Sequence, residues 1–137
     1  MNFYSDGTME ADINKLLEEC QIIQEFLEEK VSEEPNELSD RLSMLCVYMA
    51  RSGNMLADAK YIQDLERNRV YTEYSKLILK MPATVATKFI ESQTGEVNYL
   101  VNWLDRINRT CTHQADSLRT IFSFVKENLK MARGGYY

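Results

Sequence analysis

The chain is 137 residues long, enough for one domain, and its 45% hydrophobic and 10% aromatic residues exclude an intrinsically disordered protein. Five glycines and two prolines are too few turn-forming residues for a many-stranded sandwich or barrel. The net charge of −5 is unevenly distributed, because residues 1–35 hold ten acidic residues against two basic ones, whereas residues 36–137 carry a net charge of +3. The composition therefore predicts an all-α protein with an acidic N-terminal arm.

The first predicted helix lies within this acidic arm and runs from about Thr8 to Val31. Its apolar residues alternate in steps of four and three: Met9, Ile13, Leu16, Cys20, Ile23 and Leu27. Thr8 is the expected N-cap, Pro35 ends the segment, and Asn36 is expected to cap the next helix. Since neither a basic-then-apolar leader nor an apolar run long enough to cross a bilayer is present, we expect a cytoplasmic protein without membrane contact.

The second predicted helix occupies residues 36–81 and could extend from Glu37 to Lys80, just before Pro82. Its packing stripe consists of Leu38, Leu42, Leu45, Met49, Ser52, Leu56 and Ala59. Gly53 leaves two alternatives open, a continuous helix or a kink at this position. An unbroken helix of this length would span about 66 Å, which predicts an elongated molecule.

Residues 83–132 are predicted to form the C-terminal helices, with a short one from Thr84 to about Ser92 and a bend at Gly95. The long helix that follows has a stripe of apolar or small residues: Val97, Val101, Leu104, Cys111, Ala115, Leu118, Phe122, Val125 and Leu129. Residues 133–137 are predicted to be a flexible tail. The predicted fold is a single elongated helical bundle, built on a long antiparallel helix hairpin plus the acidic N-terminal helix.

A second apolar set lies beside these stripes and would not be covered by two helices alone. It consists of Tyr48, Met55, Ile62, Leu100, Ile107 and Ile121. Because the first helix is about half as long as the hairpin, we expect another copy of the chain to cover the remainder, which predicts a homo-oligomer. Asn108 takes the one polar position of the long stripe, and with His113 and Gln114 it is predicted to form an interhelical or oligomer-specifying polar layer.

The sequence offers no catalytic, metal or cofactor motif. Cys20, Cys46 and Cys111 are far apart and lie among apolar positions, so all three are expected to be buried free thiols. The single histidine, His113, has Asp116 on the same side of the helix but no nucleophile at a matching spacing. We therefore expect a protein that is not an enzyme and that uses neither a cofactor nor a small-molecule substrate.

The second half of the second helix interleaves basic and aromatic residues. The candidates are Lys60, Tyr61, Arg67, Arg69, Tyr71 and Lys76. Cations contact phosphates and aromatic rings stack on bases, so this mixture suits single-stranded nucleic acid. The alternative is an ordinary solvated helix face, since Asp64, Glu66 and Glu73 interrupt the pattern.

The order of the predicted helices, with a Lys/Arg/Tyr-rich half in the second one, resembles small phage-encoded helical proteins, in particular recombination mediators of the UvsY type. The residues that carry this resemblance are Tyr48-Met49-Ala50-Arg51, Asp58-Ala59-Lys60-Tyr61, Leu104-Asp105-Arg106-Ile107-Asn108-Arg109 and His113-Gln114-Ala115-Asp116-Ser117-Leu118-Arg119. The resemblance covers most of the chain in layout. It implies a cytoplasmic oligomer that binds single-stranded DNA and helps a recombinase to load.

The expected function is that of a non-enzymatic phage or prophage replication or recombination accessory. Two alternatives stay open. One is a protein–protein adaptor or inhibitor that acts through the acidic N-terminal helix, and the other is a structural or chaperone component of a phage particle.

Overall fold

A computed structural model describes residues 6–134 of the chain, and side chains from residue 12 onward. The described part consists of five helices: α1 (Asp6–Leu27), α2 (Pro35–Glu73), α3 (Ser75–Ile78), α4 (Ala83–Gln93) and α5 (Gly95–Gly134). No strand occurs among these residues, which confirms the prediction of an all-α protein.

The first helix begins and ends earlier than its sequence pattern predicts. It starts at Asp6, so Thr8 lies inside the helix rather than capping it, and the side chain of Thr8 falls outside the described part. The helix ends at Leu27 instead of Val31. Two side chains from other helices hydrogen-bond to the last carbonyl groups of α1, and these bonds satisfy acceptors that a further helical turn would have used.

The N-cap of α2 differs from the predicted one. Glu34, not Asn36, is the N-cap, because its Oε2 accepts a hydrogen bond from the backbone N–H of Glu37 at 2.9 Å. Pro35 occupies the first helical position, where its missing N–H costs nothing. The helix continues through Gly53 without a break, which decides between the two alternatives for this position.

Helix α2 ends earlier than the predicted second helix. It stops at Glu73, and Tyr74 separates it from the single turn of α3. Tyr74 packs edge-on against Phe89 of α4, with ring centroids 5.3 Å apart. This contact holds α4 beside the end of α2.

The last helix starts at Gly95 and continues as far as Gly134. Of the predicted flexible tail, Arg133 and Gly134 belong to this helix, while residues 135–137 lie outside the described part. Just before α5, the buried hydroxyl of Thr94 donates to the carbonyl of Ile90 and accepts from the Asn98 amide, which ties the end of α4 to the start of α5. At about 1.5 Å per residue, the 40 residues of α5 extend for about 60 Å.

The most extensive helix contact lies between α2 and α5. Three hydrogen bonds between side chains join them: Arg41 to Gln114, Asn108 to Ser52 and Gln63 to Asn98. Residues later in α2 thus meet residues earlier in α5, so the two helices run in opposite directions along this contact. Helix α1 lies against both of them.

Most of the second apolar set is buried within one chain, contrary to the expectation that a second subunit covers it. Met55, Ile62, Leu100 and Ile107 are at most 1% exposed within a single chain, so no second subunit is needed to cover them. The reason is the position of α1, whose stripe from Ile13 to Leu27 joins the same core as α2 and α5. Elsewhere in the set, Tyr48 packs on Phe26 of α1, while Ile121 remains 39% exposed.

Candidate nucleic-acid interface and interhelical polar layer

Three of the six predicted nucleic-acid contacts lie in one row on α2. Lys60, Arg67 and Tyr71 are spaced by seven and four residues, which places them on one side of a helix. Lys60 and Tyr71 are exposed and Arg67 is half-buried. Asp64 lies in the same row between them, so one carboxylate interrupts the positive charge.

The other three predicted contacts do not join this row. Arg69 lies about 200° around the helix from Arg67, and it makes ion pairs with Glu66 at 2.9 Å and Glu73 at 3.3 Å. Its charge is therefore largely compensated within its own helix. Tyr61 is 44% exposed on the flank beside Lys60. Lys76 is exposed on α3, after the break at the end of α2.

An open groove of about 300 Å³ between α2 and α4 adjoins this row. It is lined by Arg67, Asn68, Tyr71, Thr87, Ile90 and Glu91. The groove thus combines a cation, an aromatic ring and polar side chains with one carboxylate. Sequence reasoning missed Asn68 and Thr87, because their proximity depends on how α4 folds back on α2.

Asn108 forms a polar contact in the interface of α2 and α5. Its Nδ2 donates to the Met49 carbonyl at 3.0 Å and to Ser52 Oγ at 3.1 Å. Ser52 is fully buried, and its hydroxyl donates in turn to the same carbonyl. Gly53 lies beside this contact, and a Cβ at this position would meet Asn108 Nδ2 at an ordinary van der Waals distance of 3.6 Å.

Gln114 forms a second polar contact together with Arg41, a residue that sequence reasoning missed. Arg41 Nη2 donates to Gln114 Oε1 at 3.0 Å and to the carbonyl of Phe26 at 3.1 Å. Gln114 Nε2 donates to the carbonyl of Leu27 at 2.9 Å. The guanidinium group also lies 4.5 Å from the centre of the Phe26 ring. A signal was present, because Arg41 is three residues after Leu38 and falls on the packing stripe of α2.

His113 does not take part in the polar contacts between the helices of one chain. It precedes Gln114 by one residue, so it points about 100° away around α5, and its side chain is exposed. It lines an open groove along α1 and α5 with Trp103, whose indole N–H donates to Gln24 at 3.1 Å. Asp116, the expected partner of the imidazole, instead accepts from Arg119 at 3.0 Å.

The three cysteines are free, but only two of them are buried. Burial raises the pKa of the Cys20 thiol to about 12, with a smaller contribution from the charge of Glu19. Burial also raises the pKa of Cys111. Cys46 is exposed, contrary to expectation, because it lies on the side of α2 that faces away from α1 and α5.

Within residues 6–134 no group of three His, Cys, Asp or Glu side chains is arranged to hold a metal ion. None of the described helices is both long enough and apolar enough to cross a membrane. Comparison of the chain with protein-family models, with curated proteins and with solved structures finds no match in any of the three.

Proposed function

We propose that this protein is a non-enzymatic, self-associating accessory factor for single-stranded nucleic acid, acting in the cytoplasm during phage or prophage replication or recombination. The observation that carries the proposal is the row formed by Lys60, Arg67 and Tyr71. Both cations in this row lack an ion-pair partner among the described residues, in contrast to Arg69. The proposed role is similar to that of UvsY-type recombination mediators, which the layout of the sequence resembles, with a recombinase as the second partner.

The chemistry of the row supports a backbone-tracking interaction rather than sequence readout. Lys60 and Arg67 would contact phosphates, and the Tyr71 ring, 49% exposed, offers a face on which a base can stack. Asp64 in the row and Glu91 in the groove limit the affinity of a single copy. Assembly compensates, because several copies on one strand bind with a higher effective concentration. In the proposed arrangement, an elongated antiparallel bundle presents the row along the side of each copy.

The proposal is tested by fluorescence anisotropy with a labelled single-stranded oligonucleotide at low and at physiological salt. We expect binding that weakens steeply as salt rises, because phosphate contacts release counterions. The triple variant Lys60→Ala, Arg67→Ala, Tyr71→Ala should lose most of the binding. Each lost phosphate contact should reduce the slope of log K against log salt by about 0.7.

Arg69→Ala is the matched control, since it removes a cation from the same helix that is already paired with Glu66 and Glu73. It should bind almost as well as the wild type. Equal losses in the control and in the triple variant would show that overall charge, and not the row, governs binding. Absence of binding at low salt would contradict the proposal.

A second candidate function is that of an adaptor or inhibitor that uses the acidic first helix. The observation that favours it is the exposed side of α1 and the turn after it, where Glu18, Glu25 and Glu28 have no ion-pair partner among the described residues. Such a surface can dock a basic protein or mimic the charge of nucleic acid. This candidate predicts no oligonucleotide binding even at low salt, so the same anisotropy experiment separates the two functions.

A further inference from the structure

The C-terminal part of α5 extends beyond the helices that cover the rest of it. Leu118 is the last buried residue of α5, and from residue 126 to residue 134 every side chain is exposed. We call residues 119–134 the overhang. At about 1.5 Å per residue it is about 24 Å long. Because α5 is a continuous helix, the end of the overhang extends beyond the other described helices.

The overhang continues the packing stripe of α5, in which Phe122 and Val125 still pack, partly buried, against the core and only Leu129 lies beyond it. Phe122, Val125 and Leu129 follow Leu118 in steps of four, three and four, as in the buried part of the helix. Leu129 is 50% exposed. Phe124 and Met131, which are 67% and 64% exposed, lie on the opposite side of the helix from Leu129 and do not belong to this apolar face. Such a face is typical of a surface that packs against another helix or groove.

Positive charge lines one edge of this apolar face. Arg119, Lys126 and Arg133 are spaced by seven residues and so form a row, with Lys130 beside it. Arg119 pairs with Asp116, whereas the other three have no acidic partner among the described residues. The single acidic residue of the overhang, Glu127, lies about 100° around the helix from Lys126. The occupant of this face is therefore expected to be apolar with acidic residues along one edge.

A surface of that description lies at the junction of α1 and α2. We call it the acidic corner, and its exposed carboxylates are Glu28, Glu29, Glu33, Glu34, Glu37 and Asp40. Three of them, Glu29, Glu37 and Asp40, line a groove of about 290 Å³ that also has Phe26 and Met44 in its lining. Lys30 and Arg41 are the basic residues in the lining, and the side chain of Arg41 is only 9% exposed.

The acidic corner and the overhang belong to the same end of the molecule. Gln114 bonds to the end of α1, and Val31 shares a small groove with Leu118 and Ile121, where the overhang begins. Two copies that meet at this end can therefore exchange their overhangs about a two-fold axis. In such an arrangement each overhang reaches the acidic corner of the other copy, which closes the assembly as a dimer.

We propose that the overhang of one copy docks on the acidic corner of a second copy, reciprocally. The inference rests on the self-association included in the proposed function and assigns its interface. Direct packing of the two apolar stripes against each other is disfavoured, because in an antiparallel pair the row of Arg119, Lys126 and Arg133 would lie beside the same row of its partner. The acidic corner offers opposite charge instead.

Charge exchange tests this interface directly by analytical ultracentrifugation of the full chain. The overhang variant carries Lys126→Glu, Lys130→Glu and Arg133→Glu, and the corner variant carries Glu33→Lys, Glu37→Lys and Asp40→Lys. Glu34 is left unchanged because it caps α2. Each variant alone should be monomeric at concentrations where the wild type is dimeric. Mixed in equal amounts they should form a heterodimer, since each overhang then meets a corner of opposite charge.

A second variant tests the apolar contribution without altering charge. Leu129→Ser removes the exposed apolar side chain of the stripe and should raise the dimer dissociation constant roughly tenfold. Ser123→Ala, on the polar side of the same segment, is the matched control and should leave association unchanged. Circular dichroism verifies that all variants keep the helical content of the wild type.

Several outcomes would overturn the inference. A wild type that stays monomeric at about 100 μM would remove the self-association itself. Association that both charge variants retain, or monomers that fail to pair on mixing, would show that the second copy does not dock in this way. Binding of the monomeric wild type to vesicles with anionic lipid, lost in the overhang variant, would assign the overhang to a membrane instead. Oligonucleotide binding by the overhang variant is measured separately, so failure of this interface is distinguishable from failure of the Lys60–Tyr71 row.

Discussion

Arg41 and Gln114 together hold the three main helices at one end of the bundle. Their side chains are joined by a hydrogen bond of 3.0 Å between α2 and α5, and each of them donates to one of the last carbonyl groups of α1. One pair of residues therefore satisfies the C-terminus of α1 and fixes its position relative to both long helices. The contact also ends α1 at Leu27, so that the acidic segment that follows it is free to form the corner.

Replacing Arg41 by Ala should lower the free energy of unfolding by about 2–3 kcal/mol. The change removes hydrogen bonds to Phe26 and Gln114 in a site where the arginine side chain is only 9% exposed. It leaves Gln114 Oε1 without this donor, while the Phe26 carbonyl keeps its bond from the backbone N–H of Glu29. Urea denaturation followed by the fluorescence of Trp103 measures the loss. Arg41→Lys keeps the charge but not the forked geometry, and it should recover only part of the stability. A loss below about 0.5 kcal/mol for the alanine variant would contradict this role.

Two adjacent residues of α5 should respond very differently to the same substitution. Gln114→Ala should cost about 1–2 kcal/mol, because it leaves the carbonyl of Leu27 without its donor. His113→Ala should change stability by less than about 0.5 kcal/mol, since the imidazole is exposed. Thermal unfolding of the two variants provides the comparison. Equal destabilisation by both would mean that His113 does belong to the polar layer.

Gly53→Ala should stabilise the protein by about 0.5–1 kcal/mol. The residue lies inside a continuous helix with negative φ, where alanine is preferred over glycine, and the added Cβ would meet Asn108 Nδ2 at an ordinary contact distance of 3.6 Å. Ala50→Gly, at an exposed position of the same helix, is the converse control and should destabilise by a similar amount. A lower stability for Gly53→Ala would contradict this prediction and would show that the added Cβ disturbs the contact with Asn108.

Only one thiol per native chain should react rapidly with a thiol reagent at pH 8. Cys46 is exposed, whereas Cys20 and Cys111 are buried and their raised pKa values keep them protonated at this pH. All three should react once the chain is unfolded in urea. Cys46→Ala is the control and should abolish the fast reaction. Rapid modification of two or three thiols in the native wild type would contradict the packing of α1 on α5.

The same two thiols should contribute to a loss of stability at alkaline pH. The native state of Cys20 binds its proton more tightly than the unfolded chain, since its pKa rises from 9.0 to about 12. Its contribution is therefore complete below pH 9 and is lost as the pH rises toward 12. Cys20→Ala should show a shallower decrease in stability over this range than Cys46→Ala. Parallel decreases for both variants would contradict the assignment.

Much of the helical organisation follows from the sequence alone. The steps of three and four residues predict which side chains of α1, α2 and α5 face the core, and Leu16, Leu45 and Leu104 are indeed fully buried. This succeeds because the position of a side chain around a helix depends only on the helical period, a local property. The same reasoning identifies Asn108 as the polar residue that faces α2, although it does not identify its acceptors.

What only the tertiary structure decided is which neighbour each of these faces meets. Met55 and Ile107 share one core with the apolar stripe of α1, Arg69 is paired within α2, and Arg41 reaches both α1 and α5. Helical periodicity does not predict these contacts, because they depend on the lateral arrangement and register of three helices. The overhang also depends on the tertiary structure. The apolar pattern of α5 continues to Leu129, but α1 ends at Leu27 and α2 begins at Pro35. These two positions set how much of the pattern the chain itself can cover.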